Sequence, residues 1–189
     1  MQDTIRSCLN RSAQVKGAIA ADANLTGALE RAATALLRTI RAGGTIYSCG
    51  NGGSACDAMH FTEELVARYK RERPGIRAVH FHDPGTLTCW SNDYAFETVF
   101  ERQVKTFCGP NDTLVGFSTS GNSGNVIAAV AAAKGLGTTT IGMLGKKGGK
   151  LAPLCEIPLI VPADETERIQ EAHITFVHIL CELIETAEG

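Results

Sequence analysis

Five short runs of β-branched or near-continuous apolar residues constrain this chain more than any other feature: TIYSC (45–49), RAVHFH (77–82), DTLVGFST (112–119), TTTIGML (138–144) and IPLIVP (157–162), each separated from the next by a stretch read as helical. Strands buried on both faces read as unbroken apolar runs, and strands alternating with helices close into a parallel sheet covered on both sides. An α/β fold is therefore expected. In such sheets ligands sit beyond the carboxyl ends of the strands, so the loops beginning at Gly50, Asp83, Ser118 and Gly145 are where chemistry should be sought.

The first 42 residues read as two helices, the second with Leu25, Leu29, Ala32, Ala33, Leu36, Leu37 and Ile40 on one stripe and Gly43-Gly44 past its end. The last segment reads as a long amphipathic helix. Asp164 is its expected N-cap with Glu167 three residues on, and Ile169, Phe176, Val177, Leu180, Leu183 and Ile184 supply the buried stripe.

Two loops carry the ligand signal. Gly50-Asn51-Gly52-Gly53-Ser54-Ala55 matches the dinucleotide pattern G-x-G-x-x-A between a strand and a helix. Two helices precede its strand, however, and the first acidic candidate, Asp83, lies too far along, so no nucleotide cofactor is expected. The loop Ser118-Thr119-Ser120-Gly121-Asn122-Ser123 offers hydroxyls and a helix start, read as Asn122 to Lys134. Free backbone N–H groups and hydroxyls there can hold a phosphate monoester without a lysine or arginine; the plainer reading is a helix-capping turn. GKKGGK (145–150) lacks the Walker A spacing and reads as a solvated basic turn.

On the helix opened by the glycine loop, His60 and Glu64 stand four apart and emerge on one face. On the last helix, Gln170, Ile174 and His178 share a row, with His173 beside it; His178, within so apolar a helix, needs a partner, and a satisfied core histidine is its plainer reading. His80 and His82 point to one face of the second strand, a weak metal signal by itself, and read as a loop-edge or packing pair. A phosphate cradle, a carboxylate and a histidine suit proton transfer between the carbons of a hydroxy-carbonyl sugar through an ene-diol.

With 18 basic and 20 acidic residues, the chain lacks the basic stripe that nucleic-acid binding requires. No apolar stretch approaches the ~20 residues that span a bilayer, and MQDTIRSCLN lacks a signal peptide's pattern, so a cytoplasmic protein without membrane partners is expected. The seven cysteines are scattered and odd in number, which argues against a disulfide framework and for mostly buried small side chains.

AGGTIYSCGNGGSACDAMHFTEELVARY, DTLVGFSTSGNSGNVIAAVAAAK, GKKGGKLA and RIQEAHITFVHILCELIE together resemble the sugar isomerase (SIS) fold and, within it, the sedoheptulose 7-phosphate isomerases, over nearly the whole chain. The resemblance implies a three-layer sandwich with a central five-stranded parallel sheet, helices on both faces and an N-terminal helical pair. It implies one SIS domain over 1–189, with 1–42 oligomer-forming and a homotetramer as the assembly. The implied activity is aldose-ketose isomerisation of D-sedoheptulose 7-phosphate to D-glycero-D-manno-heptose 7-phosphate, at the start of nucleotide-activated heptose synthesis for surface glycans such as lipopolysaccharide.

By the same resemblance, Ser54, Ser118, Thr119, Ser120 and Ser123 hold the phosphate, Asn51 and Asp93 contact sugar hydroxyls, and Gly52, Gly53 and Gln170 line the substrate site. Glu64 and His178 form the acid-base pair. Some members hold zinc through residues matching His60, Glu64, Gln170 and His178, one ion per subunit. Glu167 stands where the family often has aspartate, and HDPGTLTCWSND (82–93), with the single Trp90, is the loop with an unfamiliar look that bears on which phosphosugar fits. The alternatives are an isomerase of another phosphosugar and a non-enzymatic SIS protein that binds a replication initiator; the presence of both Glu64 and His178 favours the enzyme.

Overall fold

The computed structural model describes residues 1–188. Among them the chain runs α1 (Gln2–Ala21), α2 (Ala23–Arg41), β1 (Ile46–Cys49), α3 (Gly53–Val66), β2 (Ala78–His80), α4 (Pro84–Asp93), a single 3-10 turn (Phe96–Thr98), α5 (Val99–Phe107), β3 (Thr113–Ser118), α6 (Gly124–Gly135), β4 (Thr139–Gly145), β5 (Ile157–Val161) and α7 (Thr166–Glu188). Asp22 divides the first two helices because its carboxylate accepts from the backbone N–H groups of Asn24 and Leu25, opening α2 as a new helix.

All five strands pair in parallel in the order β2-β1-β3-β4-β5, with Ile46 opposite Ala78 on one side and Thr113 on the other. The strand order reverses between β1 and β3, which opens a crevice beyond their carboxyl ends. Alternating side chains divide the core into two layers. Ile46, Val115, Phe117, Ile141, Met143 and Leu159 pack with α2, α3 and α7, whereas Tyr47, Cys49, Leu114 and Leu144 pack with α5 and α6. Each fully buried side chain such as Phe61 or Phe176 contributes roughly 1.5–3 kcal/mol of transfer free energy.

The expected α/β architecture, with helices on both faces of a five-stranded parallel sheet, is the observed one. Three local readings change. β4 and β5 are joined by turns rather than a helix, since Lys146, Gly148 and Gly149 all adopt positive φ. Residues 84–93, taken as loop, are helical because Asp83 caps the segment through Thr86 N and Pro84 sits in its first turn. The hydroxyl loop ends near Ser123 as expected, this residue being the N-cap of α6, which starts at Gly124. α7 starts at Thr166, which leaves Asp164 one position outside the cap. Of the cysteines, Cys49, Cys155 and Cys181 are buried, Cys8 and Cys108 partly so, and Cys56 and Cys89 are exposed, so burial is less general than composition suggested.

Candidate active site

The glycine loop after β1 and the hydroxyl loop after β3 meet at the sheet's reversal point. Gly52 has φ +57° and forms the N-cap of α3, a conformation that favours glycine. Ser54 enters the first turn almost fully buried, its backbone N–H bonded to Asn51 O. Across the crevice Ser118 and Ser123 share a hydroxyl hydrogen bond of 2.9 Å, Ser120 Oγ accepts from Asn122 N, and Thr119 and Ser120 are half-buried. Gly121, at φ +66°, lies so close to Gly148 that an added Cβ would stand 2.0 Å from its carbonyl oxygen. The GKKGGK turn is therefore more than a solvated loop: its lysines are exposed, but its backbone buttresses the hydroxyl loop, with Leu151 N bonded to Gly121 O and Lys150 N to Asn122 Oδ1.

The catalytic candidates on α3 and α7 converge on one another. His60 Nε2 donates to Glu64 Oε1 at 3.0 Å along one face of α3, and His178 Nε2 on α7 approaches the same oxygen to 4.0 Å. The nearest ligand atoms of His60, Glu64 and His178 all lie within 4.8 Å of one another. His178 is 42% exposed and stacks on Tyr69, so it faces the site rather than the core. The core histidine is instead His173, whose Nε2 donates to Leu144 O at 3.0 Å while its buried Nδ1 has no partner among the described residues. Burial, opposed by that bond, pushes its imidazole down to about 4. Gln170 lies against the glycine loop: a Cβ on Gly53 would fall 2.6 Å from its Nε2.

Two expected residues are placed less centrally. Asp93 ends α4, exposed, and accepts from Asn92 Nδ2 and the Cys89 thiol within its own helix. Trp90 spends its indole N–H on Thr98 Oγ1 and stacks on Tyr94 at 4.1 Å, anchoring α4 to the following turn.

The geometry also brings in Asp57, Arg73 and Glu185, which sequence reasoning passed over, and gives His82 a role beyond packing. Asp57, one turn before His60, carries a buried Oδ2 with no hydrogen-bond partner among the described residues, and burial pushes its carboxyl up to about 6 against the pull of His60. His82 Nε2 donates to Gly50 O at 2.9 Å, pinning the glycine loop from β2's end; burial holds its imidazole below the ordinary value. Arg73 donates to the carbonyls of Glu64 and Leu65 at the end of α3 and pairs at 3.1 Å with Glu185 on α7. Glu185 in turn accepts from the backbone N–H groups of Tyr69, Lys70 and Arg71; although burial works against its charge, these bonds hold its carboxyl below the usual value. His82, Arg73 and Glu185 find their partners on other elements, so their spacing carries no signal, whereas Asp57 and His60 stand three apart on α3, a spacing that sequence alone could have paired.

A parallel sheet whose hydroxyl and glycine loops meet where the strand order reverses offers a ligand crevice, and the chain is of the SIS class: the SIS domain family matches residues 13–145. A phosphoheptose isomerase of Pectobacterium atrosepticum is 47% identical over 186 residues, covering 97% of this chain and 96% of the relative. The solved phosphoheptose isomerases of Neisseria gonorrhoeae (37% identity, TM-score 0.92) and Francisella tularensis (35% identity, TM-score 0.93) each match over 98% of both chains. The chain belongs to the phosphoheptose isomerase family.

Proposed function

We propose that the protein interconverts D-sedoheptulose 7-phosphate and D-glycero-D-manno-heptose 7-phosphate through an ene-diol. The observation that carries this reading is the Glu64 carboxylate set between His60 and His178, on the helix that the glycine loop opens. Glu64 takes a proton from C1 of the ketose and the proton is returned at C2, while His178 moves the hydroxyl proton from O1 to O2, so that no atoms are gained or lost. Ser54, Ser118, Thr119, Ser120 and Ser123, with the first turns of α3 and α6, hold the phosphate. Asn51 and Asp93 read sugar hydroxyls, and Gly52, Gly53 and Gln170 shape the wall.

The donor set of two imidazoles and a carboxylate fits zinc, and Gln170 is the fourth candidate ligand. A zinc ion held by His60, Glu64, Gln170 and His178 would polarise the carbonyl and the neighbouring hydroxyl oxygen. The chain acts as one SIS domain over 1–189, in the cytoplasm, as a homotetramer whose N-terminal helices form contacts between subunits. In support, α1 buries only Ile19 and leaves Ile5 and Leu9 exposed, and no described helix is long and apolar enough to cross a membrane.

The test is to incubate purified protein with sedoheptulose 7-phosphate and follow the heptose 7-phosphate by NMR, beside pentose and hexose phosphates. Conversion of the heptulose supports the reading; turnover confined to a shorter sugar phosphate replaces the substrate, and turnover of none removes the activity.

A further inference from the structure

We infer that Asn125 is a positioning residue that fixes the side-chain amide of Asn51 for reading a sugar hydroxyl, an inference that rests on the sugar-phosphate site proposed above. The two amides form a reciprocal pair: Asn51 Nδ2 donates to Asn125 Oδ1 at 2.8 Å, and Asn125 Nδ2 donates to Asn51 Oδ1 at 2.9 Å. Such a pair is by itself indifferent to a concerted flip of both amides, since oxygen and nitrogen exchange roles without loss. Here the degeneracy is broken. Val126 N, one of the first-turn N–H groups of α6 that lack an intrahelical acceptor, donates to Asn125 Oδ1 at 3.0 Å. The main chain thereby decides which end of Asn125 is oxygen, and Asn125 decides which end of Asn51 is.

Burial then separates the two roles. Asn125 is 3% exposed, and its oxygen already accepts twice, whereas Asn51 is half-buried on the glycine loop. In the pair each amide uses one N–H and one lone pair, which leaves Asn51 one N–H and one lone pair in a known arrangement. A hydroxyl, which both donates and accepts, is the complement of that set, and phosphate, which only accepts when fully ionised, is not. The same bridge ties the loop after β1 to the helix after β3, so the two halves of the crevice hold a common register.

The experiment measures binding of sedoheptulose 7-phosphate and of inorganic phosphate by calorimetry, with turnover in parallel, for the wild type, Asn125→Asp, Asn51→Ala and the double variant. Asn125→Asp keeps the acceptor for Val126 N–H and sets a carboxylate oxygen against Asn51 Oδ1. The expected result is sugar-phosphate affinity about 10-fold weaker, inorganic phosphate within about 2-fold of wild type, and no added loss when Asn51 is already alanine. KM should rise more than kcat falls. Unchanged affinity in Asn125→Asp, or a loss that persists in the Asn51→Ala background, overturns the inference. If Asn125→Asp does not fold, Asn125→Ala is read by the same criteria. Wild-type protein that binds the sugar phosphate without turning it over would remove the isomerase reading and leave the binding comparison valid.

Discussion

The Glu64 carboxylate on α3 and the His178 imidazole on α7 stand 4.0 Å apart although they lie 114 positions apart in the chain. Replacing Glu64 by Gln keeps the size and removes the base. Turnover of sedoheptulose 7-phosphate should fall by about 10²- to 10⁴-fold in Glu64→Gln, and comparably in His178→Gln, with unchanged circular dichroism. Retained turnover in Glu64→Gln would remove it as the base.

The same three side chains predict metal dependence. Zinc should raise the melting temperature of the wild type, a chelator should reverse the rise, and His60→Ala should abolish most of it. Equal stabilisation of His60→Ala would move the ion elsewhere.

Arg73 and Glu185 join the end of α3 to α7, and their side chains are only 13% and 5% exposed. Removing one partner strands the other charge. Arg73→Ala should lose about 3 kcal/mol in chemical denaturation, whereas a double replacement by apolar residues should recover part of the loss.

His173 makes stability depend on pH. Its imidazole titrates near 4 in the fold against 6.5 when unfolded, so between these values the unfolded chain binds a proton that the folded chain refuses. The contribution is complete above about pH 6.5 and is lost as pH falls toward 4, by about 3 kcal/mol in total. His173→Gln should flatten this part of the stability profile; an unaltered slope would locate the acid sensitivity in other groups.

Gly121 cannot be replaced cheaply. In Gly121→Ala a methyl group would collide with the Gly148 carbonyl at an already left-handed φ, so the hydroxyl loop and the GKKGGK turn must separate. A loss of at least about 2 kcal/mol is expected in a melt, together with weaker phosphate binding in a titration.

The sheet was legible because its strands are contiguous in the sequence: TTTIGML cannot be amphipathic, and β4 is buried along its whole length. His60 and Glu64 were legible for a similar reason, since helical spacing alone brings them together. Periodicity could not rank His173 against His178, two polar groups beside one apolar stripe, because only the β4 carbonyl at Leu144 distinguishes the core position from the site position. It hid α4 as well, where Asp83-Pro84-Gly85 reads equally as a turn or as a cap followed by a first helical turn. Asn125 and Arg73 were out of reach, since their partners are set only when separate elements pack.

The hydrogen bond from Val126 N has an evolutionary consequence. Its donor is a peptide group, so any residue but proline that fits the fully buried place of Val126 supplies it, and drift among such residues does not reverse the polarity that we infer is handed on to Asn51. Proline alone deletes it. In the inferred arrangement the polarity of Asn51 is lost through residues 51 or 125, and at 126 through proline or a side chain that the buried place of Val126 cannot hold.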